Sequence, residues 1–448
     1  MVGVVWFRRD LRLADNFTIQ RAFAECKSVY GIFVMDPVVL RRAGSRRLSY
    51  LLGALSDLKE QMQDRLIVAY GDPAKVLLDL CDSVEAKSVY VSGDVSHYSK
   101  WRDQRVREAL LGRSIAFIEV DYPTTFPLGS IKKGDGSYYQ VFTPYYRAWS
   151  NLLPNLAVAK RLEFRWSHLS HQGGYPTYLS EVVPDPLAGE TKEHRRLEEF
   201  CTSKIDRYES ERDLPAKDST SRLSAALHFG VLHPRTVVAH VDPFRHERFL
   251  SEICWRDFYA ETLNQFPQSS WMNLNKAFDA METESSDSDA YERWVKGETG
   301  FPIVDAGMRQ LASEGYMHNR VRMITASFLV KDLHIHWTAG ARYFFSALVD
   351  GDVASNSHGW QWVAGTGRDA APYYRIFNPV AQSKKFDPNG DYIRRYVLEL
   401  REVPDSYIHE PWLYDRFDTL GYPYPMVDHQ KERAEALFRF EATKRRPS

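Results

Sequence analysis

Residues 317–378 read MHNRVRMITASFLVKDLHIHWTAGARYFFSALVDGDVASNSHGWQWVAGTGRDAAPYYRIFN. The segment holds Trp337, Trp360 and Trp362, the acidic turn Asp350-Gly351-Asp352 and several arginines. A plain core helix needs none of these polar members. A helix gripping a large aromatic ligand on one side and an anion on the other uses all of them. At helical spacing Asn319 shares a face with Arg322 and Met323, while Arg320 points elsewhere. Trp360 and Trp362 are two apart, so one indole can face the interior and the other a cleft. Two half-buried core aromatics would show the same spacing.

Other stretches could do chemistry. In TSRLSAALHFG (220–230) hydroxyls and an arginine stand where a helix starts. Free N–H groups there favour phosphate, although an ordinary capped helix reads identically. In SEICWRDFY (251–259), Glu252, Trp255, Arg256 and Tyr259 fall on one helical stripe. Burying Glu and Arg is costly unless they are paired or hold a ligand, and a solvated Glu–Arg pair is the alternative. The Asp350–Asp352 turn lacks the further acidic ligands of a calcium loop, so no metal site is expected. Its carboxylates suit a ring N–H, with Arg322 as counter-charge. Arg368, Arg375, Lys384, Lys385, Arg394 and Arg395 add basic character beyond the tryptophans.

The elements that must position these residues come in two styles. Apolar, β-branched runs at 2–7, 28–34, 65–70, 88–91 and 115–120 predict strands. Helical periodicity at 16–25, 46–63, 74–81 and 100–111 alternates with them, which predicts a doubly wound parallel sheet of the Rossmann-like α/β kind. No GxGxxG follows the first strand; Trp6-Phe7-Arg8-Arg9-Asp10 stands there, arguing against a conventional dinucleotide site. Prolines and glycines then break the pattern until about residue 219. Beyond that, helices are predicted at 223–227, 246–265, 291–296, 302–313, 317–331, 337–348 and 392–400. The expected organisation is an α/β domain over 1–125, a connector over 126–218 and a larger all-α domain over 219–448.

Composition sets outer limits. The chain has 448 residues, 44% hydrophobic and 26% charged, which is ordinary globular usage. A net charge of −1 means that any nucleic acid must be met by a local basic patch. Four scattered cysteines without a CxxC motif predict reduced thiols in a cytoplasmic protein. The N-terminal order of apolar and basic residues is wrong for a signal peptide, and no stretch is long enough to span a membrane.

Taken together, WFRRDLRLADN, VFTPYYRAW, TSRLS, EICWRDFY, GFPIVDAGMRQL, MHNRVRMITASFLVKDL, DGDVASNSHGWQWVAGTG, DAAPYYRIFNP and KKFDPNGDYIRR resemble the photolyase/cryptochrome family, most closely its class I cyclobutane pyrimidine dimer photolyases. The resemblance runs over nearly the whole chain in order. It implies an antenna chromophore on the α/β domain and FAD in the helical domain. Tyr208, Thr220, Ser221, Arg222, Leu223 and Ser224 match the family's phosphate and ribose contacts. Phe249, Glu252, Arg256, Tyr259, Asn319 and Arg322 match positions around the flavin and its pocket, as do Asp350, Gly351, Asp352 and Asn356. Trp255 and Trp362 match the walls that grip a flipped-out dimer, with Arg212, Arg320, Arg375 and Lys384 as DNA contacts. Trp294, Trp337 and Trp360 match an indole chain carrying an electron from the surface to the flavin.

The implied reaction is light-driven repair of DNA by a carbon–carbon lyase. Reduced, anionic FAD excited by blue light gives an electron to the dimer, the ring opens, and the electron returns. A lesion inside a duplex cannot reach a buried cofactor, so enzymes of this family take the damaged bases out of the stack. Glu252, Asn319, Met323 and Asn356 are the expected catalytic positions. A monomer acting on UV-damaged DNA, with no membrane or protein partner required, is expected. For the antenna, Phe33, Asp36, Arg47 and Asp94 sit where deazaflavin-binding relatives place contacts; methenyltetrahydrofolate is the alternative.

The alternative class is a blue-light cryptochrome photoreceptor. Asn356, where the family's plant and insect photoreceptors carry other residues, stands against it, as does the lack of a long C-terminal extension. Against (6-4) repair stand Asn319 and Met323, where those enzymes carry a histidine pair.

Overall fold

The computed structural model describes residues 1–159, 162–169 and 174–445. The chain forms two compact units, Met1–Asp206 with Ser221–Gln268, and Arg207–Thr220 with Ser269–Ser448. The sequence placed the start of the helical domain at 219; in the structure residues 221–268 pack with the α/β unit.

In the first unit five parallel strands run in the order β3-β2-β1-β4-β5: β1 Val2–Phe7, β2 Ser28–Met35, β3 Leu66–Tyr70, β4 Ser88–Ser92 and β5 Ala116–Asp121. Val4, Val5 and Phe7 are fully buried, as near-continuous apolar strands covered on both faces should be. Helices Phe17–Glu25, Ser45–Gln61, Pro73–Val84 and His97–Leu111 make the crossovers, close to the expected bounds. Asn16, Asp72 and Ser96 cap three of them through side-chain oxygens.

The order reverses between β1 and β4, where open α/β sheets bind ligands at the strands' carboxyl ends. Here that crevice holds the chain's own charges. Arg8 pairs with Asp103 at 2.6 Å and donates to the Ser92 carbonyl, while Asp10 accepts from Ser92 Oγ at 2.6 Å. Arg8 and Arg102 flank the buried Trp6 ring. Downstream, Leu11 N donates to the Phe229 carbonyl and Arg12 Nη1 to that of Gly230. Gly230 has φ +66°, and a Cβ there would collide with the Arg9 carbonyl.

Carboxylates hold the Glu247–Gln265 helix in this unit. Asp257 Oδ2 accepts from Thr125 N (3.0 Å) and Trp149 Nε1 (2.9 Å), and Glu261 accepts from Gly129 N (2.7 Å). The connector's free N–H groups are thus satisfied by a helix far along the chain. This is why 221–268 stays with the sheet.

The second unit is helical. Its main helices are Asp289–Lys296, Pro302–Glu314, Asn319–Lys331, Trp337–Ala347, Val353–Ala364, Pro379–Phe386, Asp391–Tyr396 and His429–Arg445. Their core includes Trp294, Met308, Phe328, Leu329, Phe344 and Trp360. Gly340 lets two helices close up, since a Cβ there would run into Trp360 Cη2. The last helix was not expected, because its apolar residues do not line one face. It docks through Phe440 against Phe278 and Tyr373, and through His429–Asp332 (2.5 Å), Glu432–His334 (2.8 Å) and Arg439–Glu284 (2.7 Å). Among the described residues no helix is long and apolar enough to cross a membrane.

Candidate functional site

The expected cofactor and substrate residues fall in both units. In the first, the Glu247–Gln265 helix carries Trp255, whose ring stacks on Phe142 with centroids 3.7 Å apart and planes 5° from parallel. Tyr259 packs beside Trp255 at 5.3 Å. Glu252 is half-buried, one turn from Arg248 at 3.7 Å. Arg256, expected at the flavin, points its guanidinium at protein: it donates to the carbonyls of Pro123 and of Leu227, the latter at 3.1 Å. Phe249 is buried against Phe200, and Leu223 is buried as well, so both side chains serve packing.

The segment before the Ser224–Phe229 helix has an unusual backbone. Arg222 adopts φ +52°, rare for a residue with a Cβ, and Leu223 N lies 3.5 Å from Ser221 Oγ. The turn leaves Arg222 and Ser224 exposed. Such strained conformations cluster at ligand clamps.

In the second unit the Asn319–Lys331 helix is capped by His318, whose Nδ1 accepts from Arg320 N at 3.2 Å. Arg322 Nη2 donates to Asp350 Oδ2 at 2.8 Å and its Nε to the Met317 carbonyl at 2.7 Å. Burial works against the Arg322 charge, but Asp350 outweighs it and raises its pKa. Asn319 is exposed and Met323 half-buried, and Gly351 is buried in the acidic turn. Asp352 caps the Val353–Ala364 helix through Ser355 N, and Asn356 Nδ2 donates to the Ala341 carbonyl at 2.8 Å.

Three expected DNA contacts, Arg320, Arg212 and Lys384, are engaged within the protein. Arg320 pairs with Asp213 at 2.8 Å and lies over Phe386, and Arg212 sits 3.7 Å from the same Asp213 and over the buried Tyr208 ring. Thr220 is half-buried. Arg375 and Lys384 are exposed, Lys384 reaching Glu410 at 2.6 Å. Trp362 is half-buried while Trp360 is 3% exposed, so the two indoles do take different environments.

The three indoles expected to form a relay are all buried. Trp294 is fully buried, so it is not a surface terminus, and its ring lies 6.2 Å from that of Trp360. Its core packing against Phe344 is the physical reason. Trp337 is buried too, with Nε1 donating to Asn273 Oδ1 at 2.7 Å.

On the α/β unit, Asp36 caps the Pro37–Leu40 turn and accepts from Tyr98 Oη at 2.5 Å. Asp94 accepts from Ser96 N and lies 3.8 Å from Arg9; Phe33 and Arg47 are buried.

Residues 3–161 match the family described as DNA photolyase, and residues 249–442 match the FAD binding domain of DNA photolyase. A deoxyribodipyrimidine photo-lyase from Vibrio cholerae is 36% identical, with 98% of this chain and 99% of that protein covered. The chain belongs to the photolyase family. The Escherichia coli deoxyribodipyrimidine photo-lyase is also 36% identical, over 99% of each chain. A class III photolyase structure from Agrobacterium tumefaciens superimposes with TM-score 0.90 at 33% identity, covering 99% of this chain and 98% of that one. A Synechocystis cryptochrome structure gives 0.87 at 26% identity, over 98% of each. A Sulfolobus tokodaii photolyase structure, described with two FAD molecules, gives 0.86 at 30% identity, covering 99% of this chain and 100% of that one.

An FAD-binding domain is therefore present in this photolyase-family chain. In the second unit the Arg322–Asp350 pair is of the kind that suits a ring N–H, an acceptor beside a fixed positive charge. In the first unit Ser221 and Ser224, with Arg222, are of the kind that donate to phosphate. Sequence reasoning missed Asp213, which orients Arg320. It also missed Lys331, buried with Nζ on the Arg375 carbonyl at 3.0 Å and its pKa pushed down by burial to about 7. A lysine inside an apolar helical stripe was the available signal.

Proposed function

We propose that this light-driven DNA repair enzyme splits cyclobutane pyrimidine dimers flipped out of the duplex, using FAD. The observation that carries the reading is the aromatic face of the Glu247–Gln265 helix in the first unit. Trp255, stiffened by Phe142, presents a flat aromatic surface, with Glu252 one turn away along the Glu247–Gln265 helix. Asn319, Met323 and the Arg322–Asp350 pair occupy the start of the Asn319–Lys331 helix.

When bound, FAD supplies a photoexcited electron that opens the cyclobutane ring and is then recovered. The chain's own residues do the rest. Asp350 would accept the flavin ring N–H with Arg322 balancing its charge, and Thr220, Ser221, Arg222 and Ser224 would donate to the pyrophosphate. Glu252 and Asn319 hydrogen-bond the pyrimidine carbonyl and imide groups. Trp255 and Trp362 stack on the bases, offsetting the cost of extruding them. Trp360 and its neighbours would pass electrons one at a time towards the oxidised cofactor, whose reduced, anionic form takes two electrons and one proton from solvent.

The lesion is the cyclobutane dimer and not the (6-4) adduct. Reversing the adduct moves a group between rings and needs a proton donor that titrates near neutrality, for which histidine is suited. Here the lesion-facing positions are Asn319 and Met323. His318 is buried and spends Nδ1 on capping its helix.

The α/β unit carries the antenna, a deazaflavin with contacts to Phe33, Asp36, Arg47 and Asp94, and the protein works as a cytoplasmic monomer. Repair of a dimer-containing oligonucleotide, blue light against dark, tests the function. Glu252→Ala and Trp255→Ala should lose most of the repair; efficient reversal of (6-4) adducts by the purified protein would overturn the lesion assignment. The absorption spectrum of the purified protein identifies the antenna.

A further inference from the structure

We propose that Tyr291 and Tyr343 form the outer end of the indole relay, taking the hole from Trp294 and releasing its charge to solvent. The inference rests on the reading of Trp360 as electron donor to the flavin.

Trp294 cannot be where the relay ends. It is fully buried, and its Nε1–H donates to the Thr325 carbonyl at 3.1 Å, a group that does not take a proton. An oxidised indole there keeps its positive charge in an apolar core, a costly state. The hole must move on, and the ring neighbours of Trp294 limit where. Trp360 lies 6.2 Å away on the inner side, and Phe344 at 6.0 Å is not oxidisable under these conditions. Among the described residues two phenols remain, each 5.9 Å from Trp294: Tyr291, tilted 28° from its plane, and Tyr343, edge-on at 66°.

The placement of each follows from local structure. Tyr291 precedes Trp294 by three residues on the Asp289–Lys296 helix, so the two rings share a face. Tyr343 comes from the Trp337–Ala347 helix. Both are half-buried, unlike the indole they flank. Tyr291 Oη lies 3.3 Å from the Ala339 carbonyl. Burial raises the pKa of both phenols, so each holds its proton at neutral pH until it is oxidised.

The step balances. One electron passes from a tyrosine ring to the Trp294 cation and restores the indole. The phenolic proton goes to water, for Tyr291 once its O–H turns away from the Ala339 carbonyl, leaving a neutral tyrosyl radical. A soluble thiol then reduces that radical by giving it a hydrogen atom, and becomes a thiyl radical. Loss of the proton to solvent makes the charge separation last long enough for the cofactor to stay reduced.

The test is electron paramagnetic resonance on the flavin-loaded protein, frozen during blue illumination without thiol, with ring-deuterated tyrosine to identify the signal. The wild type should give a tyrosyl signal. Tyr291→Phe and Tyr343→Phe should each weaken it, and the double variant should lose it and show a shorter-lived tryptophan signal. Phenylalanine keeps the ring packing, and unchanged urea denaturation of the variants verifies the fold. A tyrosyl signal that persists in the double variant, or a wild type with tryptophan signals alone, overturns the proposal. A tyrosyl signal that survives Trp360→Phe, or no protein radical at all, refutes instead the relay reading beneath it.

Discussion

The Trp255 indole lies flat on Phe142, 3.7 Å between centroids, and the two come from helices more than a hundred residues apart, Glu247–Gln265 and Phe142–Ser150. The connector therefore supplies the backing of the wall expected to meet the lesion. Trp255→Ala should weaken binding of a dimer-containing oligonucleotide by roughly 5- to 100-fold, the range for losing one base–aromatic stack. Phe142→Ala, which removes only the backing, should cost roughly 2- to 10-fold. Fluorescence anisotropy with damaged and undamaged strands measures both; equal losses on the two strands would refute a stacking role.

Trp360→Phe removes the oxidisable ring next to Trp294 while keeping an aromatic in the core. Blue light should no longer reduce oxidised FAD in this variant, yet repair should proceed once the flavin is reduced chemically. A chemically reduced variant without repair would show that Trp360 serves the splitting step.

Net charge is −1, so DNA attraction must be local. Arg375→Ala and Lys384→Ala should each flatten the log–log dependence of affinity on salt by about one unit. Arg320→Ala should behave differently, because its guanidinium is largely buried between Asp213 and the Phe386 ring, whereas the Lys384–Glu410 pair is exposed. It should lower stability by about 1–2 kcal/mol, the value of a charged hydrogen bond discounted for its exposed partner. Denaturant titration separates the two behaviours.

Two buried groups contribute to the pH dependence of stability. Burial lowers Lys331 to about 7 from an ordinary 10.5. Between those values the unfolded chain binds more protons than the native one, so stability rises with pH across that window. Burial lowers His358 to about 3 from 6.5, so stability is lost as pH falls through that interval. Lys331→Met should make the slope of unfolding free energy against pH between about 7 and 10.5 less positive than in the wild type. A slope identical to wild type would mean that Lys331 is not the titrating group.

β1, β2 and β4 were legible because they are apolar runs buried on both faces, and the Asn319–Lys331 face was legible because Arg322 and Arg320 diverge as helical spacing demands. Three features were not. Arg256 resembles a ligand-binding arginine in one dimension, but its carbonyl partners at Pro123 and Leu227 are made by folding. The burial of Trp294 depends on Phe344 and Trp360, which no local pattern around residue 294 encodes. The His429–Arg445 helix escaped because ion pairs such as His429–Asp332, not an apolar stripe, dock much of it.

Gly230 receives Arg12 across 218 positions of sequence, and its neighbour Phe229 accepts from Leu11. On a ribosome making about 5–20 residues per second, the chain's first loop waits roughly 10–40 s before those carbonyls exist. During that interval the nascent sheet has its strands but not the bonds that close the turn after β1. A synonymous-codon pause placed before residue 230 would prolong this half-closed state, and one placed after it would not.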